Sequence, residues 1–226
     1  DYAQACLQLR AALAICQQGE NVPPSVTATC LHALGQSLLG LGCFRDAQLH
    51  LELALRLRIQ ALGPTHAGSL STLFCLGLTH HRQGQLWRAS QMQRRCLRLR
   101  QQQLDPTSPD ITASMQALAQ IHFARDEFFE ASQLHQQALQ RILANRQSAP
   151  MHRAAALNAV GQCLHRLGLD ADAHRQLRRA RVLFSIHLGE RHPDTASVWL
   201  NLAELHLQKR PAYALALARK AHTVFK

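Results

Sequence analysis

The stretch "HLGERHPDTASVWLNLAELH" at residues 187–206 has two counterparts in the same chain: "ALGPTHAGSLSTLFCLGLTH" at 61–80 and "QLDPTSPDITASMQALAQIH" at 103–122. The first two windows start 126 residues apart, and the second and third start 42 apart, so one phrase returns on a 42-residue beat. Self-similarity at a period of roughly 20–50 residues marks a repeat architecture and has to be settled before any domain is drawn.

The beat can be followed column by column. From Gly35 in "LHALGQSLLGLG", steps of 42 land on Gly77, Ala119, Gly161 and Ala203. Four residues before each anchor stand Leu31, Leu73, Met115, Leu157 and Trp199, and one residue before stand Leu34, Leu76, Leu118, Val160 and Leu202. Two more columns run Ala5, Ala47, Ala89, Ala131, Ala173 and Ala12, Ala54, Cys96, Ala138, Ala180; they continue as Ala214 and Ala221 after one residue is lost near Arg210-Pro211. Each unit therefore holds two apolar-periodic stretches with helical spacing, joined by short turns such as "GLGCF" (40–44), "RQGQL" (82–86), "ARDEF" (124–128) and "RLGLD" (166–170). A small residue fixed on each helix lets two backbones approach closely. One hairpin cannot bury its own apolar faces, so each must stack on the next.

The opening phrase is then the junction between hairpins. Gly189 suits the end of one helix, and Pro193 or Asp194 the start of the next. "LDPTSPD" (104–110) does the same with Asp105 in place of Gly, and "LGPTHAG" (62–68) keeps Gly but lacks the Pro-Asp pair. The helices should break at Gly63–Pro64 and His192–Pro193.

Bulk composition agrees. The chain has 226 residues, 47% of them hydrophobic but only 5% aromatic, with 11 Gly and 8 Pro, too few for a loop-rich all-β protein. A Leu/Ala/Gln/Arg-rich chain favours helix. The seven cysteines, at 6, 16, 30, 43, 75, 96 and 163, form no C-x-x-C and fall within apolar helical patterns. They read as reduced thiols acting as small hydrophobes, which points to a cytoplasmic or nuclear compartment. No transmembrane span or signal peptide is visible. A net charge of +11 predicts affinity for acidic partners without saying which kind.

The columns W/L-x-x-L-G/A, Ala, Ala resemble the tetratricopeptide repeat, best in "LHALGQSLLGLGCFRDAQLHLELAL" (31–55). The 42-residue length and the LG-x-x-HP-D junction are similar to the long repeats of kinesin light chains and nephrocystin-3-type proteins. The resemblance covers nearly the whole chain. It implies an all-α fold, a right-handed superhelical solenoid of stacked antiparallel helical hairpins, with eleven helices. Residues 1–226 read as a single array: 1–18 as the second helix of a truncated repeat, then repeats at about 26–62, 68–104, 110–147, 152–189 and 194–226. The chain reads as a piece of a larger protein. It departs from the family where an aromatic is usual in the second helix, which here carries Leu51, Gln93, His135, Leu177 or Ala218.

Fourteen histidines invite a metal or catalytic reading, but no H-E-x-x-H or zinc-spaced Cys/His set occurs. His80, His122 and His206 are equivalent positions, which periodic packing explains. No metal, no cofactor and no catalytic residue is expected. The basic runs "RRCLRLR" (94–100) and "RQLRRAR" (175–181) fall on second helices and read as a solvated convex face. Nucleic-acid binding would more usually bring stacking aromatics beside the cations.

The resemblance places the concave surface on the first helix of each hairpin. Its groove-facing positions are His32, Gln36 and Leu39; Phe74, Leu78 and His81; Gln116, Gln120 and Phe123; Asn158, Gln162 and His165; and Leu200, Glu204 and Leu207, flanked by Arg82, Arg166 and Asn201. The amides can pair with the backbone of an extended peptide, Phe74, Leu78 and Phe123 offer an apolar pocket, and Arg82 and Arg166 can grip carboxylates. The Lys-and-Asn carboxylate clamp of chaperone-binding relatives is not reproduced. The expected function is a protein-interaction scaffold or adaptor, binding a short acidic-flanked peptide or a partner helix. The alternatives are an assembly or autoinhibitory arm of a larger signalling protein, and a basic solenoid that binds nucleic acid.

Overall fold

The computed structural model describes residues 2–18, 22–145 and 148–225. The expected end of the third repeat at 147, like residues 1 and 226, lies outside them. Among the described residues all regular structure is helical, in eleven helices: α1 (Tyr2–Gln18), α2 (Pro24–Gly40), α3 (Phe44–Leu62), α4 (Ala67–Arg82), α5 (Leu86–Gln103), α6 (Pro109–Ala124), α7 (Phe128–Ala144), α8 (Pro150–Arg166), α9 (Asp170–Leu188), α10 (Pro193–His206) and α11 (Pro211–Phe225). The chain divides into two compact units, 1–121 and 122–226, with the boundary inside α6.

The junction works through a device only half visible in the sequence. Gly63 and Gly189 close α3 and α9 with φ of 88° and 87°, where a Cβ would be strained. The residue three further on is not bystander sequence. His66 and His192 are the N-caps of α4 and α10, and each ring Nδ1 accepts from the backbone N–H two residues later, at 3.1 and 3.2 Å. Ser69 and Thr195 then donate back to the carbonyls of Gly63 and Gly189 at 2.7 and 2.8 Å. The two ends of the junction are thereby tied to each other, and both helices break where expected.

Within hairpins the small-residue anchor is a point of contact. A Cβ on Gly161 would stand 2.7 Å from Leu177 Cγ and 3.4 Å from the Ala173 carbonyl; one on Gly35 would stand 2.6 Å from Leu51 Cγ. Ala173 and Ala131 are fully buried. In the first unit Leu31, Leu34 and Leu38 of α2 meet Ala47 and Ala54 of α3, closed from the other side by Cys6 and Leu13 of α1. In the second unit one continuous cluster runs from Leu157 and Val160 through Leu177 and Phe184 to Trp199 and Leu217. One departure from the family pattern finds a local partner. Gln93 is fully buried and donates to the Phe74 carbonyl at 2.9 Å.

The reading of "RRCLRLR" as a solvated face needs correction at its last residue. Arg94, Arg95 and Arg98 are exposed, but Arg100 is only 3% exposed. Its Nη1 donates to the Asp110 carbonyl and to Ser114 Oγ, both at 2.9 Å. Forty-two residues earlier Arg58 makes the same pair of bonds, to the Gly68 carbonyl and Thr72 Oγ1, both at 2.8 Å. Each arginine ties the second helix of one repeat to the first helix of the next. In the second unit these columns change together: Ile142 and Phe184 replace the arginines, and Ala156 and Val198 replace the hydroxyls, all buried. A guanidinium sits there only where a hydroxyl is available to satisfy it.

The cysteines also divide. Cys6, Cys75, Cys96 and Cys163 are buried, whereas Cys43 is an exposed N-cap in the α2–α3 turn, outside the helical pattern assigned to it.

Candidate peptide-binding groove

In the first unit the first helices of successive repeats share a concave hollow of about 840 Å³. α2 supplies Gln36 and Leu39, α4 supplies Phe74, Leu78, His81 and Arg82, and α6 supplies Gln120. Seven of the positions assigned to the groove from their spacing therefore face one cavity. The spacing works because positions three before, one after and four after each anchor follow one another at i, i+4 and i+7, on one flank of the helix.

The hollow has a chemical gradient. Phe74 and Leu78, both half-buried, give it an apolar patch. Beneath lies the guanidinium of Arg100, 4.7 Å from the centre of the Phe74 ring, with its Nη2 3.8 Å from Asp110 Oδ1. The Nε of Arg100 is buried without a hydrogen-bond partner. Arg82 stands exposed at the rim, and the pKa of His81 beside it is held below the usual histidine range by burial and by the Arg82 charge. Gln36 Nε2 lies 3.4 Å from Cys75 Sγ. Arg100, Asp110, Ser71 and Ala113 were not assigned to this surface from the sequence. Arg100 escaped because it belongs to a second helix and sits in a basic run.

His32 differs from expectation. It is 8% exposed, so it belongs to the packing rather than the surface, and burial together with the nearby Arg58 charge lowers its pKa to about 4. Gln116 is half-buried on α6.

In the second unit the amides come together, but they bind each other. Asn201 Nδ2 donates to Asn158 Oδ1 at 2.8 Å, and Gln162 Nε2 donates to Asn201 Oδ1 at 3.1 Å. This relay links α8 to α10 and fixes each amide's orientation. Each amide retains hydrogen-bonding capacity, since a carboxamide offers two donors and two acceptor lone pairs. Glu204 and Leu207 are exposed, as is Leu200.

Phe123 and Arg166, expected to offer an apolar wall and a grip for carboxylates, are engaged with neighbouring side chains. Phe123 packs edge-on against Phe128, with centroids 5.2 Å apart, and Arg166 lies over both rings, 4.2 Å from Phe128 and 5.6 Å from Phe123. Asp126, at 3.3 Å, takes part of the arginine's charge. Arg166 is thus held in place by stacking, with one face already occupied. His165, also placed in the groove, contacts Asp170 Oδ1 at 3.1 Å, an i+5 turn bond like those of His80 to Gln85 and His122 to Glu127.

Among the described residues no group of three or more His, Cys, Asp or Glu side chains is arranged to hold a metal ion. No helix among them is long and apolar enough to cross a membrane.

Tetratricopeptide-repeat family models match residues 26–102 and 111–143. No curated protein matches the sequence. Among solved structures, the nearly identical TPR-like repeats of a kinesin light chain candidate from Podosopora anserina superpose with a TM-score of 0.72 at 20% identity, covering 92% of this chain and 97% of that one. BtubC from P. vanneervenii superposes with a TM-score of 0.78 at 17% identity, covering 99% and 91%. YrrB, described as a TPR protein with an unusual peptide-binding site, gives 0.54 at 15% identity, covering 87% and 86%. At these identities the likeness is one of fold.

Proposed function

From a chain built of tetratricopeptide repeats we infer a protein-interaction module that takes an extended, acidic-flanked peptide on the face formed by its first helices. The observation that carries this reading is the hollow of about 840 Å³ shared by α2, α4 and α6, in which amides, an apolar patch and an exposed arginine converge. Such a surface suits a peptide that presents backbone amides to Gln36 and Gln120, a bulky apolar side chain to Phe74 and Leu78, and a carboxylate to Arg82. Within the second unit the Asn158–Asn201–Gln162 relay offers oriented amides of the same kind. The 42-residue columns cross the boundary between the units without a shift, from Ala119 to Gly161, so residues 1–226 are read as one run of repeats. YrrB's peptide-binding site gives a precedent on this fold. The reading assigns the chain no chemistry of its own and places it in a reducing compartment, cytoplasmic or nuclear, where seven thiols remain reduced.

The direct test is selection from a random peptide library against the full chain. Recovered sequences should carry Asp or Glu beside a bulky apolar residue. Recovery of basic sequences, or no enrichment over background, would overturn the reading.

A further inference from the structure

The outer side of the second unit carries a surface that the groove does not use. α9 presents there a face made of Ala171, His174, Arg175, Arg178, Arg179 and Val182, at helical spacing. Together with Leu143 of α7 and Leu157 of α8 it bounds a hollow of about 740 Å³. Two of the hollow's apolar residues are open to solvent: Leu143 is 49% exposed and Val182 46%. Arg153, Arg175, Arg178 and Arg179 surround it. On the other flank of α9 a second hollow, of about 590 Å³, shares Ala171, His174 and Arg178 and adds Arg181, Lys209 and Arg210.

The unit's own carboxylates cover little of this charge. Asp172 pairs with Arg175 at 3.1 Å and Asp170 with Lys209 at 2.8 Å. Among the described residues no carboxylate forms an ion pair with Arg153, Arg178, Arg179 or Arg210. Exposed apolar side chains beside arginines that lack a carboxylate partner, Arg178 and Arg179, make a surface that water solvates poorly at its centre and an acidic partner neutralises at its rim. No Phe, Tyr or Trp lines the first hollow, so it offers no platform for stacking bases. The rings near the second hollow are engaged with one another, His174 on His206 at 5.0 Å and His206 on Tyr213 at 5.3 Å.

We propose that this outer face of α9 is a second docking surface, whose occupant is an acidic amphipathic helix of a partner protein. Apolar side chains one turn apart enter the hollow over Leu143 and Val182, and carboxylates on the helix flanks meet Arg178 and Arg179 in bidentate pairs. The apolar contact holds the partner, while the arginines select acidic sequences and speed their approach. This surface is separate from the groove, and its occupant binds whether or not the groove is filled.

The test uses a fluorescent synthetic helical peptide of about 16 residues, long enough for four turns. It carries Leu and Phe at i, i+3, i+4 and i+7 and Glu on its flanks. Two controls replace Glu by Lys, or the apolar residues by Ala. Binding to the full chain is read by anisotropy. The acidic amphipathic peptide should bind, and both controls should bind about ten-fold or more weakly. R178E/R179E and, separately, V182D should each weaken the acidic peptide by a similar factor, while Q36A/Q120A in the groove leaves it unchanged. All three outer positions are exposed, so circular dichroism should show an intact fold. Equal binding by the wild type and both outer variants overturns the proposal. So does loss of binding in Q36A/Q120A alone, or a preference for a single-stranded RNA oligonucleotide or an anionic vesicle over the peptide.

Discussion

Arg100 shows how much one buried cation depends on its setting. It sits almost out of water, answered by a carbonyl, a hydroxyl, a half-distant carboxylate and an aromatic face. Arg100→Ala would leave Ser114 and the Asp110 carbonyl without their donor and open a void. The expected cost is about 2–3 kcal/mol in a denaturant melt. The chain also contains its own apolar answer at the equivalent site, Ile142 with Ala156. The double variant R100I/S114A should therefore cost less than Arg100→Ala, and a double-mutant cycle would show the two positions coupled. His135 makes the complementary case. Burial lowers its pKa to about 4, against roughly 6.5 in the unfolded chain. The unfolded state therefore binds the proton first. The stability associated with neutral His135 is complete above about pH 6.5 and is lost as the pH falls toward 4. His32 behaves likewise. The melting midpoint should fall over that window. His135→Leu, which copies Leu51 and Leu177 at the same column, should reduce that fall. An unchanged pH profile in that variant would remove His135 from the account.

At the scale of the helix and its junctions, contact at the anchor decides what the hairpin tolerates. Ala173 is fully buried, and its carbonyl lies 3.4 Å from where a Cβ on Gly161 would stand. Ala173→Leu should overpack the α8–α9 hairpin and cost roughly 1–3 kcal/mol, as should Ala131→Leu in α7. Melts indistinguishable from wild type would mean the columns had been misassigned. The helices, their breaks and these contacts were legible because a 3.6-residue period and a 42-residue period constrain each other. The caps were only partly legible. Pro193 and Asp194 look like a helix start, yet the capping atom is the ring Nδ1 of His192, a residue type seldom chosen for that role. Its recurrence as His66 at a multiple of the beat was the available signal. Groove positions on α2, α4 and α6 could be read from their offset to the anchor. The engagement of Arg166 with Phe128 and Asp126 could not, because it depends on which turn residue each side chain reaches. The burial of Arg100 could have been inferred from its pairing with Arg58 in one column and with a hydroxyl in another.

At the scale of the whole molecule, the excess of positive charge is not uniform in meaning. Part of it is structural, in Arg58 and Arg100. Part lines the outer hollows of the second unit, and Arg82 stands at the rim of the groove. Only exposed cations contribute to recruitment, and their effect should weaken with salt, since screening is strong beyond about 10 Å at 0.1 M. Binding of a groove peptide should therefore lose affinity as salt rises, and Arg82→Glu should abolish most of that dependence without lowering thermal stability. The most direct measurement is the dissociation constant of one library-selected acidic peptide for four forms of the chain: wild type, Q36A/Q120A, R82E and R95E/R179E. The groove account predicts about ten-fold or greater weakening in the first two variants and a change within about two-fold in the third. Normal binding by both groove variants, with loss of binding in R95E/R179E, would contradict it and move the peptide to the outer face.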